Sequence, residues 1–245
     1  MSRFFCPSAN FKTPVISITT SEEIHHIKNV LRLKKGDVLH IFNGRGEEAA
    51  GKIHSLSNNA VDVKIEYKIP AMHTKTTRVI LACAVPKKAK FETIIEKCTE
   101  LGIDQIFPIQ TKRTEVKIKA DQIPQKLKRY QSIVINAAKQ SHRRELPIIN
   151  APLKFEHFLT QLHPDSTSLI ACLQKGQKPL LSVLEKLPTP KTINFLIGPE
   201  GDFTLEEVAS AQKAGCIPVS LGPTVLKVDT AAITVTACAN LLFNR

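Results

Sequence analysis

The sequence predicts an α/β protein, in which a mainly parallel sheet with helices on both faces follows a small β-barrel domain. Three observations carry this. Up to residue 70, short strands succeed one another with a single helical stretch between them; after Arg78, strands and helices alternate; and the polar, aperiodic stretch Pro70–Thr77 separates the two rhythms. The domain boundary belongs there, dividing the chain into residues 1–72 and 73–245. With 245 residues and 42% apolar side chains, the chain has enough material for a sizeable core.

Ser21 precedes Ile24, Ile27, Val30 and Leu31 at helical spacing, which predicts a capped helix ending near Leu31. Gly36–Phe42, Glu48–Leu56 and Ala60–Ile69 alternate as strands around turns at Asn43–Gly46 and Ser57–Asn59. Beyond the boundary, Val79–Val85 is a buried strand. Phe91, Ile94, Ile95, Cys98 and Leu101 line one face of a helix stopped by Gly102. Ile103–Ile109 is the next strand, and a helix over 124–141 buries Leu127, Tyr130, Val134, Ala137 and Ala138. Strands at Ser168–Leu173, Ile193–Ile197 and Ile217–Leu221 then alternate with helices at Leu180–Leu187, Thr204–Ala214 and Asp229–Phe243. That alternation implies a parallel sheet covered on both sides.

The net charge of +12 is unevenly placed. Residues 1–70 hold ten basic and seven acidic side chains, 71–150 hold sixteen and seven, and 151–245 hold eight of each. A basic field concentrated in the middle third suits a polyanion, either nucleic acid or an anionic membrane surface. No apolar run approaches the roughly 20 residues of a membrane span, and the N-terminus has no secretory pattern. The six cysteines show no Cys-x-x-C spacing, so neither zinc nor a disulfide framework is expected, and a reducing cytoplasm is the expected compartment. The His25–His26 pair reads as solvated surface.

Ligands of open α/β sheets bind at the carboxyl ends of strands, which directs attention to two strand-to-helix loops. Ile197-Gly198-Pro199-Glu200-Gly201-Asp202-Phe203-Thr204 enters a helix through a Thr204/Glu207 capping box. Its glycines let a ligand approach the backbone, yet Glu200 and Asp202 oppose a phosphate, and no phosphate-loop or dinucleotide fingerprint is present. The carboxylates either complement the helix N-terminus or face a cationic or zwitterionic ligand that carries a nucleoside. The second loop, Leu221-Gly222-Pro223-Thr224-Val225-Leu226-Lys227-Val228-Asp229, precedes a helix capped by Asp229 or Thr230. That helix carries no charge from Thr230 to Asn244, as befits a core helix or one buried against another subunit.

Leu196–Phe203, Ser220–Pro223 and Leu226–Ala231 together resemble the RsmE family of 16S ribosomal RNA uridine N3-methyltransferases, within the SPOUT superfamily of knotted methyltransferases. Lys97–Ile103, Pro108–Arg113, Ala137–Arg143 and Val30–Asp37 resemble further family segments in the expected order. The resemblance implies that Leu173, Ile197, Gly198, Pro199, Glu200, Gly201, Leu221, Gly222, Pro223, Leu226, Thr230 and Ala231 hold S-adenosylmethionine (SAM). It implies a deep C-terminal trefoil knot, a PUA-like N-terminal barrel that grips RNA, and a homodimer with the uncharged last helix in its interface. The partner is then 16S rRNA, within the 30S subunit, with Arg32, Arg113, Gln140, Arg143 and Arg144 on the RNA side. Arg143, Glu200, Lys227 and Asp229 are the candidate catalytic groups, and no metal is needed. The chain departs from the family pattern at Asp202, where the family often has Gly. It departs again at Thr224, Lys227 and Asp229, where Arg, Arg and Glu are common. Two other readings remain open at this level: an RNA-binding assembly factor without activity, and an enzyme acting on a free nucleotide.

Overall fold

The computed structural model describes residues 2–70, 75–87 and 90–244. The boundary expected at residues 72 and 73 lies outside them. The chain forms two compact units, one comprising residues 1–74 and 138–146, the other 75–137 and 147–245.

The first unit contains β1 (Arg3–Phe5), β2 (Val15–Ile18), α1 (Ser21–His25), β3 (Val38–Phe42), β4 (Glu48–Leu56) and β5 (Val61–Lys68). They form one sheet in the order β1-β3-β4-β5-β2, antiparallel except for β1 beside β3. Irregular register at Ala50/Gly51 and Ile53/Ser55 bends the long β4–β5 pair, so the sheet curls into a half-barrel. Phe4, Ile16, Ile18, Ile27, Leu39, Ile41, Ile53, Val61 and Val63 fill its concave side. The expected helix is present with two corrections. Thr20, not Ser21, is the N-cap, because the Ser21 hydroxyl turns to Glu22. After His25 the backbone continues as a π-helical turn, His26–Val30.

The second unit runs β6 (Arg78–Ala84), α2 (Lys90–Glu100), β7 (Gln105–Gln110), α3 (Ile123–Gln140, whose last residues belong to the first unit), β8 (Ile148–Ile149), β9 (Leu153–Lys154), α4 (Phe155–Leu159), β10 (Thr167–Ala171), β11 (Lys178–Pro179), α5 (Leu180–Leu184), β12 (Thr192–Ile197), α6 (Leu205–Lys213), β13 (Ile217–Ser220) and α7 (Val228–Phe243). Its sheet is parallel throughout, in the order β11-β13-β10-β12-β6-β7-β8, with β9 also on β7. One face packs on α4 and α6 through Phe155, Phe158, Phe203, Val208 and Ala211. The other packs on α7 and, through it, α2, where Cys98 Sγ lies 3.8 Å from the Ala232 carbonyl. Because helices cover both faces, β6 and β12 are apolar at nearly every position rather than at alternate ones. No helix among the described residues is long and apolar enough to cross a membrane, and no group of three or more His, Cys, Asp or Glu side chains among them is placed to hold a metal ion.

Candidate functional site

A cavity opens at the carboxyl ends of the adjacent strands β13, β10 and β12, where the sequence pattern directs attention. Three loops wall it. The loop after β12 is strongly tied down. Glu207 N donates to Thr204 Oγ1 at 3.2 Å while Thr204 N donates to Glu207 Oε2 at 2.8 Å, completing the expected capping box. The other carboxylate oxygen of buried Glu207 accepts Lys112 N at 2.7 Å, and Arg113 Nη1 donates to the Gly201 carbonyl at 2.6 Å. Glu200 Oε1 accepts Lys87 N at 3.1 Å. Gly198 meets a spatial limit, since a Cβ there would stand 3.0 Å from the Phe203 ring and 3.1 Å from its backbone nitrogen.

Asp202 has a left-handed backbone, φ 59°, closing the turn in which its N–H donates to the Pro199 carbonyl. Its carboxylate Oδ2 accepts the Leu173 N–H at 2.9 Å, which joins the loop after β12 to the loop after β10. The loop after β13 is barer. Ser220 and Gly222 bond to each other, and Val225 is 74% exposed. Helix α7 starts at Val228 with Lys227 as its N-cap and no side-chain capping bond, a correction to the expected Asp229 or Thr230 cap. Asp229 sits in the first turn instead, its Oδ1 3.5 Å from Lys90 Nζ without a hydrogen bond.

Of the twelve residues expected to hold a cofactor, Leu173, Ile197, Gly198, Pro199, Glu200, Leu221, Gly222, Leu226 and Ala231 line this cavity. Gly201 stands behind it on Arg113, while Pro223 and Thr230 are exposed beside it. Pattern reading did not assign Ala171, Cys172, Asp202, Ser220 or Val228 to the lining. Each lies within three residues of one that it did assign, so the continuity of the strand ends was the available signal. Among the described residues the lining includes Glu200 and Asp202 and no Lys, Arg or His. Burial pushes the Cys83 thiol well above its usual range, and the charges of Glu200 and Asp229 add to the shift. Burial raises the Cys172 thiol too, with Asp202 contributing.

Glu200 lines this cavity, Lys227 is the N-cap where the loop after β13 meets α7, and Asp229 lies in the first turn of that helix, whereas Arg143 belongs to the first unit. Of the expected RNA-side residues, Arg113 is on the second unit, and Arg32, Gln140, Arg143 and Arg144 are on the first. Arg32 is exposed with φ 53°, and Gln140 ends α3, also exposed. Arg144 is heavily engaged: Nε pairs with Glu48 at 2.9 Å and Nη1 donates to the Ile69 and Pro70 carbonyls. Arg3 shares Glu48 and donates to the Ala138 and Arg143 carbonyls. Burial alone would raise the Glu48 carboxyl, but the Arg3 bond and the charges of Arg3 and Arg144 outweigh it and hold the group below its usual range.

Residues 73–240 match the RNA methyltransferase domain family, and residues 18–66 match the PUA domain of RNA methyltransferases. The chain is 34% identical to the ribosomal RNA small subunit methyltransferase E of Synechocystis sp., over 93% of its own length and 73% of the relative's. It is 30% identical to the Bacillus subtilis protein of the same name, over 91% and 88%. It is also similar to a Legionella pneumophila protein, assigned as a methyltransferase and solved in complex with the bound cofactor SAM. There the TM-score is 0.86 at 28% identity, covering 98% of this chain and 96% of that one. With a parallel sheet, a cavity at its carboxyl edge and relatives matching across nearly the whole length, the chain belongs to the ribosomal RNA small subunit methyltransferase E family of RNA methyltransferases.

Proposed function

We propose that the protein transfers a methyl group from SAM to N3 of a specific uridine in the 16S rRNA of the small ribosomal subunit. One observation carries the cofactor assignment: the cavity at the carboxyl edge of the sheet is walled by strand-to-helix loops, and among the described residues its charged lining groups are Glu200 and Asp202. That chemistry suits a nucleoside whose other end is cationic and carries no phosphate. The residues proposed to hold it are Leu173, Ile197, Gly198, Pro199, Glu200, Gly201, Leu221, Gly222, Pro223, Leu226, Thr230 and Ala231.

When bound, the cofactor supplies a methyl group on a positively charged sulfur, and donating it leaves a neutral thioether. The chain's own contribution lies in orientation and charge. Uracil N3 must lose its proton before or as it forms the new N–C bond, so the negative charge on the ring needs stabilising. Arg143 and Lys227 are proposed to supply that stabilisation at the uracil carbonyl oxygens, and Glu200 or Asp229 to take the proton on to solvent. N3 lies on the pairing edge, so the target base must be unpaired or flipped out.

The remaining assignments follow the same reading. Residues 1–72 act as a PUA-like RNA-gripping domain, and residues 73–245 as a SPOUT domain with a C-terminal trefoil knot. Arg32, Arg113, Gln140 and Arg143 contact RNA, while Arg144, held by Glu48, contributes charge beside them. Two chains pair through α7, which carries no charge from Thr230 onward and on which Leu241 is 71% exposed, and the enzyme works in the cytoplasm on rRNA within the 30S subunit. The decisive test is nucleoside mass spectrometry of ribosomal RNA from a deletion strain. Loss of 3-methyluridine, restored by the intact gene, is expected, and an unchanged 3-methyluridine signal would overturn the proposal.

A further inference from the structure

The two pocket loops and the first turn of α7 carry three carboxylates, and their surroundings differ. Asp229 lies 3.5 Å from the Lys90 ammonium, whereas Glu200, in the cavity lining, meets the backbone N–H of Lys87 through Oε1 and, among the described residues, no cationic side chain within ion-pair distance. Asp202 lines the cavity, yet among the described residues no Lys, Arg or His nitrogen lies within ion-pair distance of it, and its Oδ1 accepts no hydrogen bond. Its Oδ2 is taken by the Leu173 N–H, which fixes the side chain at the mouth between two walls. A backbone at φ 59° is one that glycine adopts freely and other residues only under strain. An aspartate there is tolerated because the Leu173 bond holds it. What results is a fixed negative charge at a cavity whose lining, among the described residues, has no cationic side chain. A charge left uncompensated by the protein attracts a ligand of opposite charge, and does so more strongly inside a cavity than in open solvent.

From this we infer that Asp202 sets the cavity's preference for the positively charged methyl donor over the neutral thioether that remains after transfer. The inference rests on the cofactor reading above and deepens it. Methyl transfer removes the positive charge from sulfur, so the attraction that Asp202 exerts on the sulfonium ends with the reaction, while the ammonium group common to both forms is attracted equally before and after it. The residue acts as a specificity determinant that holds the substrate form and loosens the product form.

The test is titration calorimetry of the full chain at low ionic strength, with S-adenosylmethionine and S-adenosylhomocysteine as the two probes. The wild type is expected to bind the donor at least several-fold more tightly than the thioether. Asp202→Asn retains an oxygen for the Leu173 N–H but removes the charge, and asparagine tolerates the same backbone. It should weaken the donor roughly three- to tenfold, a loss of the size expected for one partly screened charge, and leave the thioether within about twofold. Asp202→Gly, which suits the left-handed backbone and keeps the chain folded, should flatten the ratio in the same way. An equal loss for both probes, or a donor-to-thioether ratio unchanged in both variants, overturns the inference. A wild type that binds neither probe at millimolar concentration overturns the cofactor reading itself, an outcome distinct from either of these.

Discussion

The loop after β12 is tied from every side: Lys87, Lys112, Arg113 and Leu173, drawn from three other segments, bond to it or to its cap. The loop after β13, across the same cavity, has the local Ser220–Gly222 bonds and an exposed stretch from Gly222 to Val225. The first is rigid before any ligand arrives. The second must lose conformational freedom when one binds, at a cost of about 1 kcal/mol for each residue fixed. The pairing teaches that one wall of the site stores shape while the other spends affinity on closing. Tight binding and release can then be tuned separately.

The largest expected break in this contrast comes from space. Gly198→Val drives a side chain into Phe203 and its backbone, so SAM affinity measured by calorimetry should fall more than tenfold. Retained affinity would show that the first loop yields as readily as the second. Next is the cap. Glu207→Ala removes a capping-box partner and leaves Lys112 N without its acceptor, which should cost about 2 kcal/mol and lower Tm by roughly 4–8 °C. An unchanged Tm would mean that the first loop is not held through its helix.

The second loop should respond in the opposite way. Val225→Gly leaves Tm within what about 0.5 kcal/mol produces, because the side chain is exposed, but weakens SAM roughly two- to fivefold by loosening a segment that must order. A fall in Tm with unchanged affinity would reverse the comparison. The smallest effect belongs to the surface ion pair behind the first loop. The bond from Lys112 holds the Glu206 carboxyl below its usual range, so any stabilisation is complete above the ordinary pKa of 4.5 and disappears as pH falls through the lower folded value. Both partners are solvated, and Glu206→Gln should give the same Tm as the wild type from pH 3 to 7; a gap that opens above pH 4.5 would promote this pair to a real support of the loop.

Some of this organisation was readable in the residues. The Thr204/Glu207 box, the apolar runs of β6 and β12 and the charge-free stretch of α7 after Asp229 all appear where spacing indicates, because each is specified by neighbours in sequence. The two-residue strands β8, β9 and β11 were not readable, since two residues carry no period. The start of α7 was misjudged for a related reason. Asp229 has the right chemistry for a cap, but it sits one position inside the helix, within reach of the Lys90 charge from α2. Arg144 reads as an exposed cation until Glu48 and two carbonyls, contributed by distant segments, are seen around it.

The sequence by itself determined the alternation of strands and helices, the two loops that matter and the family, because local pattern and ordered motifs carry that information. The tertiary structure alone decided that Asp229 lies beside the Lys90 ammonium while Glu200 and Asp202 each accept a backbone N–H. Charge compensation depends on distances between residues far apart in the chain, and Asp202, Leu173 and Lys90 meet their partners only once the parallel sheet brings its carboxyl ends together.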